Sequence, residues 1–143
     1  MGFLAQDFVP LGAYGPTAVT PSSKDVMTKV FTVNKTDTTS TVKLVLPADA
    51  SIVGVKLYGA TASNAGTSAT VSISVASGGS TISSGTYDVK TSGAVTGEVT
   101  MSGLPNIQPV PLVGDLIFSA SYAEVGTASS TGTAWNVAVT FIR

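Results

Sequence analysis

Eight carboxylates, at Asp7, Asp25, Asp37, Asp49, Asp88, Glu98, Asp115 and Glu124, are the acidic side chains this sequence offers, and it has no histidine and no cysteine. That inventory decides most of the available chemistry. Without imidazole or thiol there is no His-based triad, no thiolate nucleophile, no disulfide and no His/Cys metal set. Glycoside hydrolysis would need two carboxylates facing each other across a sugar. No spacing pairs these eight. Asp88 and Glu98 fall on adjacent predicted strands, but both alternate outward, where a surface charge pair with Lys90 is the simpler reading. A calcium loop gathers several oxygens, whereas "NKTDTTS" (34–40) supplies Asn34 and one carboxylate, Asp37. No G-x-S-x-G or P-loop pattern occurs. The expectation is a protein without catalytic activity, metal or cofactor.

The charge content points the same way. Charged residues make up 10% of the chain and the net charge is −1, where about a quarter charged is usual. Seven basic residues are spread along 143 positions, too thinly to displace counterions from a phosphate backbone, so nucleic acid is not an expected partner. Nor is a membrane: no run of ~18 apolar residues exists, and the first residues lack a basic stretch and are interrupted by Asp7, Pro10 and Gly12. Gln6 stands where a myristoylation motif wants Ser or Thr. Twenty Thr and eighteen Ser fill the polar positions instead. Such a neutral, hydroxyl-rich surface suits a protein packed in an assembly better than a free, crowded monomer.

The elements that must position these residues fall into two parts. Residues 1–23 mix Phe3, Leu4, Phe8, Val9, Leu11, Tyr14 and Val19 with Pro10, Pro16 and Pro21 and keep no period. Proline favours extended chain, and a tail with three aromatics is more apolar than a solvated one. This stretch reads as an extended arm that docks on its own domain or on a neighbour.

From residue 24 to residue 143 the chain reads as one domain of about eight short alternating runs: 26–33, 41–46, 52–59, 67–76, 85–91, 94–101, 115–125 and 133–142. Expected inward sets are Phe31 and Val33; Val42, Leu44 and Leu46; Val53, Val55 and Leu57; Val71, Ile73 and Val75; Tyr87 and Val89; Val95, Val99 and Met101; Leu116, Phe118 and Tyr122; and Trp135, Val137, Val139 and Phe141. Period-2 alternation gives each sheet one wet and one dry face. The fold class is all-β: strands of this number and spacing fit two sheets packed face to face or a closed barrel, and the expected form is an antiparallel β-sandwich of jelly-roll kind. The segment 103–114 carries three prolines and reads as a loop or edge, exposing Ile107, Val110 and Leu112. Among the ring side chains outside the arm, Tyr58 alternates outward beside Lys56, too little for a sugar platform but enough to anchor a protein contact.

Two stretches echo each other. "TASNAGTSATVSISV" (61–75) and "TASSTGTAWNVAVTFI" (127–142) share TAS, a glycine turn and an alternating strand, and each reads as the second half of a long hairpin.

Residues 31–76 and 115–142, with "FTVNKTDTTSTVKLVLPADASIVGVKLYGATASNAGTSATVSISV" and "IFSASYAEVGTASSTGTAWNVAVTFI" as their texture, resemble small virion proteins of tailed bacteriophages. These are head decoration (cement) or accessory head proteins. The resemblance covers about half the chain and contains no catalytic motif. It implies a structural role on the capsid surface of a virion, after synthesis in the bacterial host cytoplasm. It also implies the major capsid protein as partner and self-association, with a trimer favoured. The residues expected to make those contacts are Phe3, Leu4, Phe8, Val9, Leu11, Tyr14, Tyr58, Ile107, Val110 and Leu112. The alternative is a tail or head-fibre module that binds host surface glycan.

Overall fold

The computed structural model describes residues 25–59, 61–91, 96–102, 114–131 and 134–143. Among these, alternating apolar and hydroxyl residues form eight strands: β1 (Val26–Val33), β2 (Thr41–Leu46), β3 (Ser51–Tyr58), β4 (Ser68–Ser77), β5 (Ser80–Asp88), β6 (Thr96–Glu98), β7 (Leu116–Val125) and β8 (Trp135–Ile142). They make two four-stranded antiparallel sheets, ordered β1-β8-β3-β6 and β2-β7-β4-β5. The pairings β1·β8, β2·β7, β3·β6 and β4·β5 nest inside one another. The chain is thus one long hairpin, folded at its middle and rolled so that its two arms alternate between sheets. That is the jelly-roll topology. The fold-over point is Gly78–Gly79, both at positive φ (57° and 82°), which a two-residue turn between twisted strands requires and glycine adopts without a Cβ penalty.

The inner faces supply the core. Val71, Ile73 and Val75 of β4, Leu116 and Phe118 of β7, and Trp135, Val137 and Val139 of β8 are all within 1% of complete burial. Phe31 tilts against Phe118 at 6.5 Å between ring centroids, and Tyr122 stacks on Trp135 at 5.1 Å and 12°. Trp135 also lies against Gly59, where a Cβ would come within 2.5 Å of the indole. Its Nε1 is buried and has no hydrogen-bond partner among the described residues, a polar cost carried by the surrounding ring contacts.

Two bulges alter the expected faces. The register of β2 shifts between Val42 and Leu44, so Val42 is 62% exposed while Leu46 is buried. The register of β3 shifts between Ile52 and Gly54, so Ile52 turns inward and Val53 is half exposed. Each bulge inserts one residue and reverses the alternation on one side of it. β5 begins at Ser80 rather than near Gly85, because its first half, "STISS", pairs with β4 across the glycine turn. Among the described residues β6 holds Thr96–Glu98 in register, and Val95 lies outside them. The two echo stretches do not close hairpins. β3 and β4, like β7 and β8, lie in different sheets, so both stretches are crossings between sheets.

Phe118→Ala is expected to destabilise the domain by about 3–5 kcal/mol, as a buried ring lost from a packed core. Val45→Thr, on the exposed side of β2, should stay within about 0.5 kcal/mol. Urea unfolding followed by tryptophan fluorescence measures both.

Candidate functional site

The rolled topology sorts the connections into two ends. One end holds residues 34–40, 61–67, 89–91 and 126–131. There the carboxylates and amides work as turn locks. Asp37 accepts from the Asn34 backbone N–H at 2.7 Å and from Lys43 Nζ at 2.6 Å. Asp88 accepts from Thr91 Oγ1 at 2.7 Å and from the Lys90 N–H at 2.8 Å. Glu124 accepts from Tyr122 Oη at 2.6 Å and from Ser129 Oγ at 2.7 Å, while Ser63 Oγ lies 2.8 Å from the same tyrosine oxygen. The Lys90 ammonium donates to the carbonyls of Gly66 and Thr67, and Lys35 donates to the Ser129 carbonyl at 2.6 Å.

The two echo stretches meet at this end. The Gly66 N–H donates to Thr127 O at 2.8 Å, Asn64 Oδ1 accepts from the N–H groups of Ser130 and Thr131 at 2.9 Å each, and Thr131 Oγ1 donates to Ala62 O. Similar sequence gives two similar crossings that bind each other. The result is a cross-linked polar cap. Among the described residues, no three carboxylates converge as a metal site would need.

The opposite end holds the chain at Asp25, which exchanges backbone hydrogen bonds with Arg143 at 3.1 and 3.2 Å, and the ion pair of Arg143 with Asp49 at 3.2 Å. The segment 103–113 is anchored on one side by Ser102, bonded to Ser84, and on the other by Gly114, whose carbonyl accepts from Ser77 Oγ at 2.8 Å beside the glycine turn. Phe3, Leu4, Phe8, Val9, Leu11, Tyr14, Ile107, Val110 and Leu112 lie outside the described residues. Both segments that carry them are nonetheless attached here: residues 1–24 join at Asp25, and 103–113 return at Gly114. Tyr58 sits elsewhere, near the cap on the outer face of the β1-β8-β3-β6 sheet, opposite Asn136 and Thr96 and 37% exposed. Among the described residues it is the single exposed aromatic, so no stacking platform for a sugar surrounds it.

The outer face of the β2-β7-β4-β5 sheet is a field of short hydroxyls. Ser72, Ser74, Ser84, Thr86 and Ser121 line an open concavity there with Thr100 and Ser102. Sequence reading missed a different surface, the start of β1. Val26, Met27, Thr28, Lys29 and Val30 are all exposed. The signal was present, since only Phe31 and Val33 of "VMTKVFTV" had an assigned inward role.

The same roll of strands occurs in a solved structure described as "Cyanophage Pam1 capsid asymmetric unit". The two match with a TM-score of 0.51 at 16% identity, over 85% of this chain and 86% of that chain. A cyanophage capsid contains this fold. The nearly equal shares also mean that the two chains are close in length. No protein-family model matches the sequence, and no curated protein matches it.

The cap has a pH signature. Hydrogen bonds from Asn34 and Lys43 hold the Asp37 carboxyl below its ordinary range, those from Thr91 and Lys90 do so for Asp88, and those from Tyr122 and Ser129 for Glu124. Each group binds a proton less readily folded than unfolded. Its stabilisation is therefore complete above the ordinary carboxylate pKa of about 4 and is lost as pH falls through and below it. Denaturation midpoints should be flat from pH 6 to 8 and fall below about pH 4, and Glu124→Gln should flatten part of that fall. Tyr122→Phe, which takes one member from the network, is expected to cost about 1–3 kcal/mol.

Proposed function

We propose that this protein is a structural component of a phage virion, a decoration (cement) protein that sits on the outer surface of the head, contacts the major capsid protein and strengthens contacts between capsomers. The observation that carries this reading is the match over nearly the whole of two similarly sized chains to a structure from a phage capsid. Three further features support it. The surface is poor in charge, with 10% charged residues, which limits repulsion between copies in a dense lattice. Asp37, Asp88 and Glu124 are spent on turns, consistent with a role without catalysis. One end is closed by a hydrogen-bonded cap, whereas the two segments richest in proline and unassigned apolar residues attach at the other.

In this reading the capped end faces solvent and the end bearing Asp25 and Gly114 faces the shell. Self-association, with three copies favoured, multiplies weak contacts through high effective concentration. Deleting residues 2–20, or substituting Ile107, Val110 and Leu112 together by Ser, is expected to abolish binding to undecorated capsids in a co-sedimentation assay. The circular-dichroism spectrum of the β domain should be unchanged. Full binding by both variants would overturn this assignment of the contact surface.

A further inference from the structure

A sandwich has four sheet edges, and an unpaired edge is a template for another strand unless something blunts it. Among the described residues, three of the four are blunted. β6 has three residues in register. β2 is broken by its bulge and carries Lys43. The edge of β5 is covered by Ser102, which donates its N–H to Ser84 O at 2.9 Å and accepts from the Ser84 N–H at 3.0 Å, while Ser83 Oγ donates to Ser102 O.

β1 is different. All eight of its residues pair with β8 without a register shift, and among the described residues β1 ends its sheet. It contains no proline. Val26 is 67% exposed and Val30 51%, and Met27, on the inward side opposite Phe141, is also exposed. One protective device is present: Lys29 lies opposite the buried Val139, so it points to the inner side of the sheet while remaining exposed. An inward charge of this kind repels most incoming strands and admits one that brings a matching carboxylate.

The sequence contains such a strand. Residues 1–9, "MGFLAQDFV", are free of proline and carry one acidic side chain, Asp7. Placed antiparallel to β1 with Asp7 opposite Lys29, the segment sets Val9 opposite Met27 and Phe3 opposite Val33. Pro10 then falls opposite Val26, at the end of the ladder, where a missing N–H is tolerated. Residues 10–24 carry Pro10, Pro16 and Pro21. Such a linker extends at about 3.1 Å per residue, or about 45 Å, against about 27 Å for the whole of β1. That reach is enough to bring residues 1–9 to a neighbour's edge.

We infer that the free edge of β1 is a strand-addition site, occupied by residues 1–9 of a second copy of this chain. Asp7 and Lys29 select the register. Each copy gives one strand and receives one, so the contact can close into a ring. The interface joins copies of the chain to one another and stands whether or not a capsid is the final partner.

Sedimentation of the full chain should give an oligomer of fixed copy number, and a chain lacking residues 1–9 should be monomeric with an unchanged circular-dichroism spectrum. A monomeric full chain, or an unchanged oligomer after truncation, would overturn the inference. Mixing separately made Asp7→Cys and Lys29→Cys chains under mild oxidation should yield a disulfide between position 7 of one copy and position 29 of another, read by peptide mass. A link that forms only when one chain carries both substitutions would mean the segment closes on its own β1, against the inference. Asp7→Lys should weaken association on the order of tenfold, and Lys29→Asp in the same chain should restore it. Failure to restore would refute the register.

Discussion

Everything in this fold depends on two apolar inner faces burying each other. Each sheet has one apolar face, Val71, Ile73, Val75 and Phe118 in one and Val137 and Val139 in the other, and such a face must be buried against another layer. The contact is centred on large rings, with Tyr122 from one sheet stacked on Trp135 from the other and Phe31 against Phe118. Because the nested pairing places sequence-distant strands side by side, this burial also fixes where every connection emerges. The cap and the opposite end are consequences of the roll.

That division separates the turn-locking carboxylates from the junctions of the two apolar segments. At the cap, Asp37, Asp88 and Glu124 each serve backbone and hydroxyl donors of their own turns, and the echo stretches fasten to each other through Asn64 and Thr127. Among the described residues, the acidic groups of this end are engaged by its own turns. The other end carries the junctions of the two segments with unassigned apolar residues. The exposed half of β1 begins there too, next to the chain's own C-terminal strand. In the proposed role, contact surface would thereby be concentrated at one end without loosening the core.

Strand existence was legible because period-2 patterns are local. β1 and β2 have the expected bounds, and the inner faces of β4, β7 and β8 carry the expected residues. The bulges at Val42–Leu44 and Ile52–Gly54 were not legible, since a one-residue insertion leaves the composition of "TVKLVL" and "IVGVKLY" unchanged and moves only the register. "STISS" showed no apolar alternation, so β5 began late in the sequence reading. The pairing of the TAS stretches is a contact between residues more than sixty positions apart, which similarity hints at and alternation cannot give. Of the expected contact residues, Tyr58 was placed outward correctly. The exposed run Val26–Val30 went unremarked because a sequence does not show which strand ends a sheet.

The most direct test of the assembly role is a cryo-electron-microscopy reconstruction of phage capsids incubated with the purified protein. The expected map shows jelly-roll density in fixed positions on the outer shell, with Asp25, Arg143 and Gly114 toward the capsid and the cap bearing Asp37, Asn64 and Glu124 toward solvent. Shells without added density, or density with the cap against the capsid, would contradict it.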